Sequence, residues 1–165
     1  MNILIIGSGG QLGTDCIKKL SGDHQVVAVD YPEIDITDRH SLAAAWTAHK
    51  PEVAINCAAY TAVDKCETET EAAWLVNADG PRFIGEIAAD HGCRVIHIST
   101  DYVFDGKKEV PNPYVEDDPV NPLSEYGRSK LAGEEHLRAS CPEATILRTA
   151  WLYSANGPNF LKTML

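Results

Sequence analysis

The sequence is short of positive charge. Lys and Arg total 14 against 24 Asp and Glu, a formal net charge of −10. A nucleic-acid groove needs a basic stripe to neutralise phosphates, and none is supplied. A phosphorylated small molecule stays open, because backbone N–H groups hold phosphate without lysines. Long apolar runs are also missing. Hydrophobic residues make up 44% of the chain, yet no stretch approaches the ~18 residues of a membrane span. Met1 leads straight into the first apolar run, so no signal peptide is expected. Cysteine pairs are absent as well. The five cysteines are odd in number and form no C-x-x-C. Cys57 and Cys93 lie in or beside apolar runs and read as small buried hydrophobes. The expectation is a reducing, cytoplasmic setting with no disulfide and no metal site. The six histidines show no metal-ligand spacing. Repeats and low-complexity tracts are lacking too. A length of 165 residues suits one domain with a core.

What is present begins at the N-terminus. Asn2–Ile6 is an apolar, β-branched run with the length of a buried parallel strand. Gly7-Ser-Gly-Gly10-Gln11-Leu12-Gly13 follows directly, and then an amphipathic stretch over Thr14–Leu20. Gly7 lets the chain turn sharply out of the strand. Gly10 has no Cβ, so backbone can approach a pyrophosphate. Gly13 allows tight helix–sheet packing. The pyrophosphate would rest on the free N–H groups of the helix N-terminus. The spacing is not a strict G-x-G-x-x-G, and an ordinary strand-to-helix turn is the plain alternative. Asp30 supports the ligand reading. It ends the second predicted strand, Gln25–Val29, where a carboxylate can accept hydrogen bonds from the hydroxyls of an adenosine ribose. The alternative is a turn residue before Pro32.

The remaining pattern alternates strands and helices. Ile34–Asp38 reads as a short third strand, with Thr37 or Asp38 capping a helix that runs to about His49. Further strands are expected at Glu52–Asn56, Arg94–Ile98 and Ala144–Arg148. A long helix spans about Glu67–His91, with a bend or break at Gly80-Pro81. Another helix covers Ser124–Ala139, with Ser124 as N-cap. Asp101–Leu123 is irregular and proline-rich, long enough to be functional or disordered. Such alternation implies right-handed βαβ crossovers. The fold class is α/β: a doubly wound parallel sheet, or Rossmann fold. Its order would be 3-2-1-4-5-6, with ligand outside the carboxyl ends of the strands.

Two features fall where a substrate would sit. Ser99-Thr100 ends a strand. Tyr126 and Lys130 lie four apart on the next helix and share a face. A neighbouring ammonium is expected to lower the Tyr126 pKa, so that the hydroxyl exchanges a proton near neutral pH. Thr100 can hold the same carbonyl or alcohol oxygen. Beside a nicotinamide this makes a carbonyl reductase. Alone, Tyr-x-x-x-Lys is an ordinary helical neighbour pair.

Three blocks sharpen the reading: Asn56-Cys-Ala-Ala-Tyr-Thr-Ala-Val-Asp64, Ser99-Thr-Asp-Tyr-Val-Phe-Asp-Gly106 and Tyr126-Gly-Arg-Ser-Lys-Leu-Ala-Gly-Glu134. With the glycine turn they resemble the extended short-chain dehydrogenase/reductases and, within them, the dTDP-4-dehydrorhamnose reductase family. The resemblance implies a catalytic triad of Thr100, Tyr126 and Lys130. It implies reduction of the 4-keto group of a dTDP-4-keto-6-deoxy sugar by NADH or NADPH. It places the cofactor along Gly7, Gly10, Gln11, Leu12, Asp30, Asp35, Ile36, Ala58, Ala59 and Tyr60, with Tyr126 and Lys130. Tyr60 stands where the family often has His. Substrate contacts would be Val63, Thr100, Tyr102 and Trp151, although Val63, Tyr102 and Trp151 could simply pack. Two other readings stay open. One is a regulatory protein similar to the β subunit of methionine adenosyltransferase. The other is a cofactor-binding fragment without activity. Gly157-Pro158 resembles a helix opening, and the chain ends two turns later on apolar residues. The expectation is a dinucleotide-binding domain over 1–165, truncated before most of a C-terminal substrate lobe. Such a chain would bind cofactor without reducing sugar, and its exposed apolar end would favour self-association as a homodimer.

Overall fold

The structure, a computed structural model, describes residues 1–157 and 159–165. The expected helix opening at Pro158 lies outside the described residues. Five strands form one parallel sheet: β1 (Asn2–Ile6), β2 (Gln25–Val29), β3 (Val53–Asn56), β4 (Arg94–Thr100) and β5 (Thr145–Thr149). Their spatial order is β2-β1-β3-β4-β5. The order reverses at β1, with β2 on one side and β3 on the other. At this switch point the strand ends leave a crevice. Register places Ile6 opposite both Val29 and Asn56, and Thr100 opposite Thr149.

Alternation along β1 sorts its side chains to the two faces. Leu4 and Ile6 join Leu42, Trp46, Ile84 and Leu137 in the larger cluster. Those partners come from α2 (Arg39–His49), α5 (Gly80–Asp90) and α6 (Glu125–Ser140). Ile3 and Ile5 face the other way, onto Cys16, Ile17 and Leu20 of α1 (Gln11–Leu20). The doubly wound arrangement is therefore present. No described helix is long and apolar enough to cross a membrane.

Two expectations about the path of the chain are corrected. Ile34–Asp38 is not a strand. Asp35 Oδ1 accepts from the Thr37 N–H at 2.9 Å and the Thr37 hydroxyl at 2.7 Å, and the Asp35 N–H donates to Ser41 Oγ. These short-range bonds satisfy the backbone without a ladder. Ile34 and Ile36 still plug into the core. The sheet is the expected one without its outermost strand. Of the two candidate caps for α2, Asp38 does the work, accepting from the His40 N–H at 2.8 Å.

The long helix does not break at Gly80-Pro81. Short helices α3 (Val63–Cys66) and α4 (Thr70–Trp74) come first. A π-helical turn over Leu75–Asp79 then runs straight into α5. Pro81 sits in the first turn of α5, where its missing N–H is tolerated. The wider π turn takes up the irregularity that was expected as a bend. Ser124 caps α6 as expected, accepting from the Gly127 N–H at 3.1 Å. The last helix, α7 (Phe160–Met164), is capped by Asn159.

The proline-rich span is tied down rather than loose. Asp105 accepts from the Lys107 N–H, the Tyr114 hydroxyl and the Asn121 amide. Phe104 and Tyr114 stack at 4.3 Å.

Candidate active site and dinucleotide groove

One groove of about 730 Å³ opens along the carboxyl ends of the strands. Its first part is the glycine turn. Gly7 has φ +78°, and a Cβ there would lie 2.6 Å from the Ala58 nitrogen. No other residue type fits that approach without strain. Gly10 is the N-cap of α1 and brings no side chain to cap it. The first N–H groups of the helix are therefore free for an anion. Gly7, Gly10, Gln11 and Leu12 all line the groove.

Asp30 closes this end. Its Oδ2 accepts from the Gly9 N–H at 2.7 Å, and its Oδ1 accepts from its neighbour's N–H, that of Tyr31, at 2.9 Å. The carboxylate is thus fixed in place at the end of β2. Asp35 and Ile36 line one side, and Ala58, Ala59 and Val63 another.

The far end holds the reactive groups. Thr100, Tyr102, Tyr126, Lys130 and Trp151 share the groove. The Thr100 hydroxyl donates to Asp101 and accepts from the Tyr102 N–H, both at 3.2 Å. The Tyr102 ring meets that of Tyr126 edge-on at 5.4 Å. Lys130, only 2% exposed, donates from Nζ to the Ile98 carbonyl at 2.8 Å.

The electrostatics differ from the sequence expectation at Tyr126. Its hydroxyl pKa is raised by burial, against the lowering effect of Thr100. The lysine is the group that gives way. Burial brings the Lys130 pKa down to about 8, against the pull of Glu134. His97 is held well below its ordinary value by burial and then by Lys130. Tyr126 is thus a protonated phenol at neutral pH beside a lysine of weakened basicity.

Tyr60 alone among the expected site residues lies off the groove wall. Its N–H donates to Asn77 Oδ1 at 2.8 Å, and its hydroxyl donates to Glu69. That hydrogen bond pushes the hydroxyl pKa up to about 12. The side chain points at a surface carboxylate. Trp151 is on the wall but 73% exposed, at φ +53°, with its ring against Phe160.

Several buried polar residues behind the site escaped the sequence reading. Asn77, on the π turn, clamps the Tyr60 backbone, accepting from its N–H and donating to its carbonyl; it also donates to Ser129 of α6 at 3.1 Å. Glu134, fully buried, accepts from Ser99 at 2.5 Å and from Arg148 in a two-pronged pair. Asn56 and His97 lie beneath Lys130. A signal existed for two of them: His97 interrupts an apolar strand, and Glu134 follows Lys130 by one helical turn.

Sheet, glycine turn and the Thr100–Tyr126–Lys130 cluster together define a Rossmann fold of the extended short-chain dehydrogenase/reductase kind. More narrowly, residues 1–165 match the family described as the RmlD substrate binding domain, and the chain belongs to that family. It is 44% identical over 165 residues to a dTDP-4-dehydrorhamnose reductase of Aggregatibacter actinomycetemcomitans, covering 99% of this chain and 55% of that one. A crystal structure of a dTDP-4-dehydrorhamnose reductase from Clostridium acetobutylicum superposes with a TM-score of 0.95 at 46% identity, covering 99% of this chain and 58% of the other. A Bacillus anthracis dTDP-4-dehydrorhamnose reductase in complex with NADP gives 0.94 at 36% identity, with 98% and 57% covered. The chain thus spans just over half the length of these relatives.

Proposed function

We propose that this chain carries the dinucleotide site and the proton-handling residues of an NADH- or NADPH-dependent reductase. Its substrate is the 4-keto group of dTDP-4-dehydrorhamnose or a similar dTDP-4-keto-6-deoxy sugar. One observation carries the reading: the glycine turn with Asp30 and the Thr100–Tyr126–Lys130 cluster are two ends of the same groove. The names of the similar reductases, and the NADP in one of them, support it.

The α1 N-terminus and the approach at Gly10 would hold the pyrophosphate, and Asp30 the adenosine ribose. Ala58 and Ala59 leave room beside β3 for the cofactor to pass. When bound, the nicotinamide supplies the hydride to the carbonyl carbon. Tyr126 supplies the proton to the carbonyl oxygen, and its raised pKa keeps that proton available at neutral pH. With substrate present, the Thr100 hydroxyl would turn its one proton from Asp101 to the same oxygen. Carbon gains hydride and oxygen gains a proton, which completes the alcohol. Val63, Tyr102 and Trp151 would contact the sugar nucleotide.

A purely regulatory role does not require Thr100, Tyr126 and Lys130 to converge in one groove, so the enzyme reading is favoured. The setting is the cytoplasm, in keeping with free cysteines at all five positions. We further propose that residues 1–165 bind the dinucleotide while most of the sugar-orienting wall lies outside them. The half-exposed Tyr102 and the exposed Trp151 leave that side of the groove open, and orientation carries several kcal/mol of such a barrier. The exposed Trp151–Phe160 corner is the surface proposed for homodimer contact.

The test is turnover of dTDP-4-keto-6-deoxy sugars, followed at the nicotinamide absorbance, in a polypeptide that contains residues 1–165. Tyr126→Phe should lower the rate by about 10²–10⁴-fold with dinucleotide affinity unchanged. Full activity in that variant contradicts the proton-donor role. Rapid turnover by the 165-residue chain alone contradicts the placement of the sugar wall.

A further inference from the structure

Beneath the catalytic lysine runs a short polar chain that the reaction as described does not use. Asn56 ends β3, His97 lies on β4 beside it in register, and Lys130 reaches over from α6. All three are almost fully buried, at 1%, 0% and 2% exposure. Asn56 Oδ1 accepts from the Ala58 N–H at 3.1 Å. An N–H can only donate, so the amide orientation is settled: oxygen toward Ala58, nitrogen toward His97. Asn56 Nδ2 then donates to His97 Nδ1 at 3.1 Å. With Nδ1 accepting, the ring proton of a neutral imidazole must sit on Nε2. Nε2 lies 3.4 Å from Lys130 Nζ.

An N–H aimed at an amine suits a neutral amine, which offers a lone pair. It opposes an ammonium, which offers only protons. We propose that Asn56 and His97 are positioning residues for Lys130: Asn56 fixes the Nε2–H tautomer of His97, and that N–H destabilises the charged lysine. The role in catalysis rests on the reductase reading; the tautomer and its effect on the lysine do not.

The other groups around Lys130 do not account for a weakened amine. From α6, Glu134 favours the ammonium, although Arg148 of β5 already pairs with that carboxylate. Tyr126, also on α6, is held protonated and is neutral. From the segment after β3, the Cys57 thiol has its pKa pushed up by Cys16 and by burial, so it too is neutral. The Ile98 carbonyl accepts from Nζ in either protonation state. Besides burial itself, the His97 N–H is the local group that opposes the charge. A lysine so placed loses and regains a proton near neutral to mildly alkaline pH, within reach of the groove that holds Tyr126.

The test is nuclear magnetic resonance on the isotopically labelled 165-residue protein, without dinucleotide or sugar. Nitrogen shifts of the His97 ring read the tautomer, and the ε-carbon shift of Lys130 reads its titration. The wild type should show Nε2–H and a Lys130 midpoint well below that of the exposed lysines. Asn56→Asp offers oxygen to both neighbours, so the ring should turn to the Nδ1–H tautomer. Nε2 then accepts from Lys130, and the midpoint should rise by about one pH unit or more. The new carboxylate charge raises the lysine midpoint by itself, so the ring tautomer in the wild type and the variant is the deciding readout. A wild-type Nδ1–H tautomer overturns the proposal. So does an unchanged tautomer in Asn56→Asp, or a flipped tautomer with an unmoved lysine. If Asn56→Asp does not fold, the wild-type tautomer decides. Failure of the reductase reading would appear as absent turnover and would leave these shifts untouched.

Discussion

The Gly9 N–H donates to Asp30 Oδ2 at 2.7 Å. This bond ties the glycine turn after β1 to the end of β2, the two places where a dinucleotide would touch the fold first. It also fixes a negative charge where a 2′-phosphate would lie. Asp30→Asn removes the charge while keeping one acceptor oxygen. We expect the NADPH-to-NADH affinity ratio to rise about tenfold, or about 1.4 kcal/mol. Calorimetric titration with both dinucleotides checks this, and an unmoved ratio contradicts the role of Asp30.

Glu134 is fully buried and holds three partners from two strands and its own helix. Ser99 donates to it at 2.5 Å, and Arg148 at 2.6 Å, with Arg138 further off at 3.9 Å. Arg148 also lies over the Phe104 ring at 5.1 Å, linking β5 to the proline-rich span. Glu134→Ala strands the Arg148 charge and the Ser99 hydroxyl together. Loss of one partner of a buried pair costs about 3–5 kcal/mol. Urea denaturation should show a loss in that range, and a loss within 0.5 kcal/mol, roughly that of a surface substitution, contradicts the buried network.

Lys130 makes stability depend on pH in a direction that can be assigned. Its folded pKa is about 8, against an ordinary 10.5. Between those values the unfolded chain binds more protons, so this residue's contribution rises with pH across that window. Below about pH 8 the burial penalty is present in full, on the order of 3 kcal/mol. Lys130→Met lacks the titration. The stability of the wild type relative to Lys130→Met should therefore increase from pH 8 to pH 10.5. A difference that stays flat, or falls, contradicts the weakened lysine.

Local patterns were legible in the sequence. The glycine turn, the β-strand runs, the Ser124 cap and the Tyr126–Lys130 pair depend on neighbours within one or two turns. The Rossmann topology followed from the alternation of those elements. Features built across the sheet were not legible. Asn56 with His97, and Glu134 with Arg148, are joined only by strand register and helix docking. Tyr60 lies off the groove wall for a similar reason: its hydroxyl meets Glu69 and its backbone N–H meets Asn77. Ile34–Asp38 has strand-like composition, but Asp35 spends its hydrogen bonds on Thr37. The pKa of Tyr126 was misjudged because burial is invisible in a helical spacing.

The central claim is that the groove binds a nicotinamide dinucleotide with its pyrophosphate at Gly10. A Cβ at Gly10 would meet the Gly7 carbonyl oxygen at 3.3 Å, a tight contact that a small shift relieves. Gly10→Ala should therefore fold, yet place a methyl group against the pyrophosphate. Calorimetry of NADH and NADPH with the wild type and Gly10→Ala is the direct measurement. We predict one binding site in the wild type, at least about tenfold weaker binding in Gly10→Ala, and unfolding midpoints that nearly coincide. No dinucleotide binding by the wild type, or equal binding by both proteins, would contradict the account.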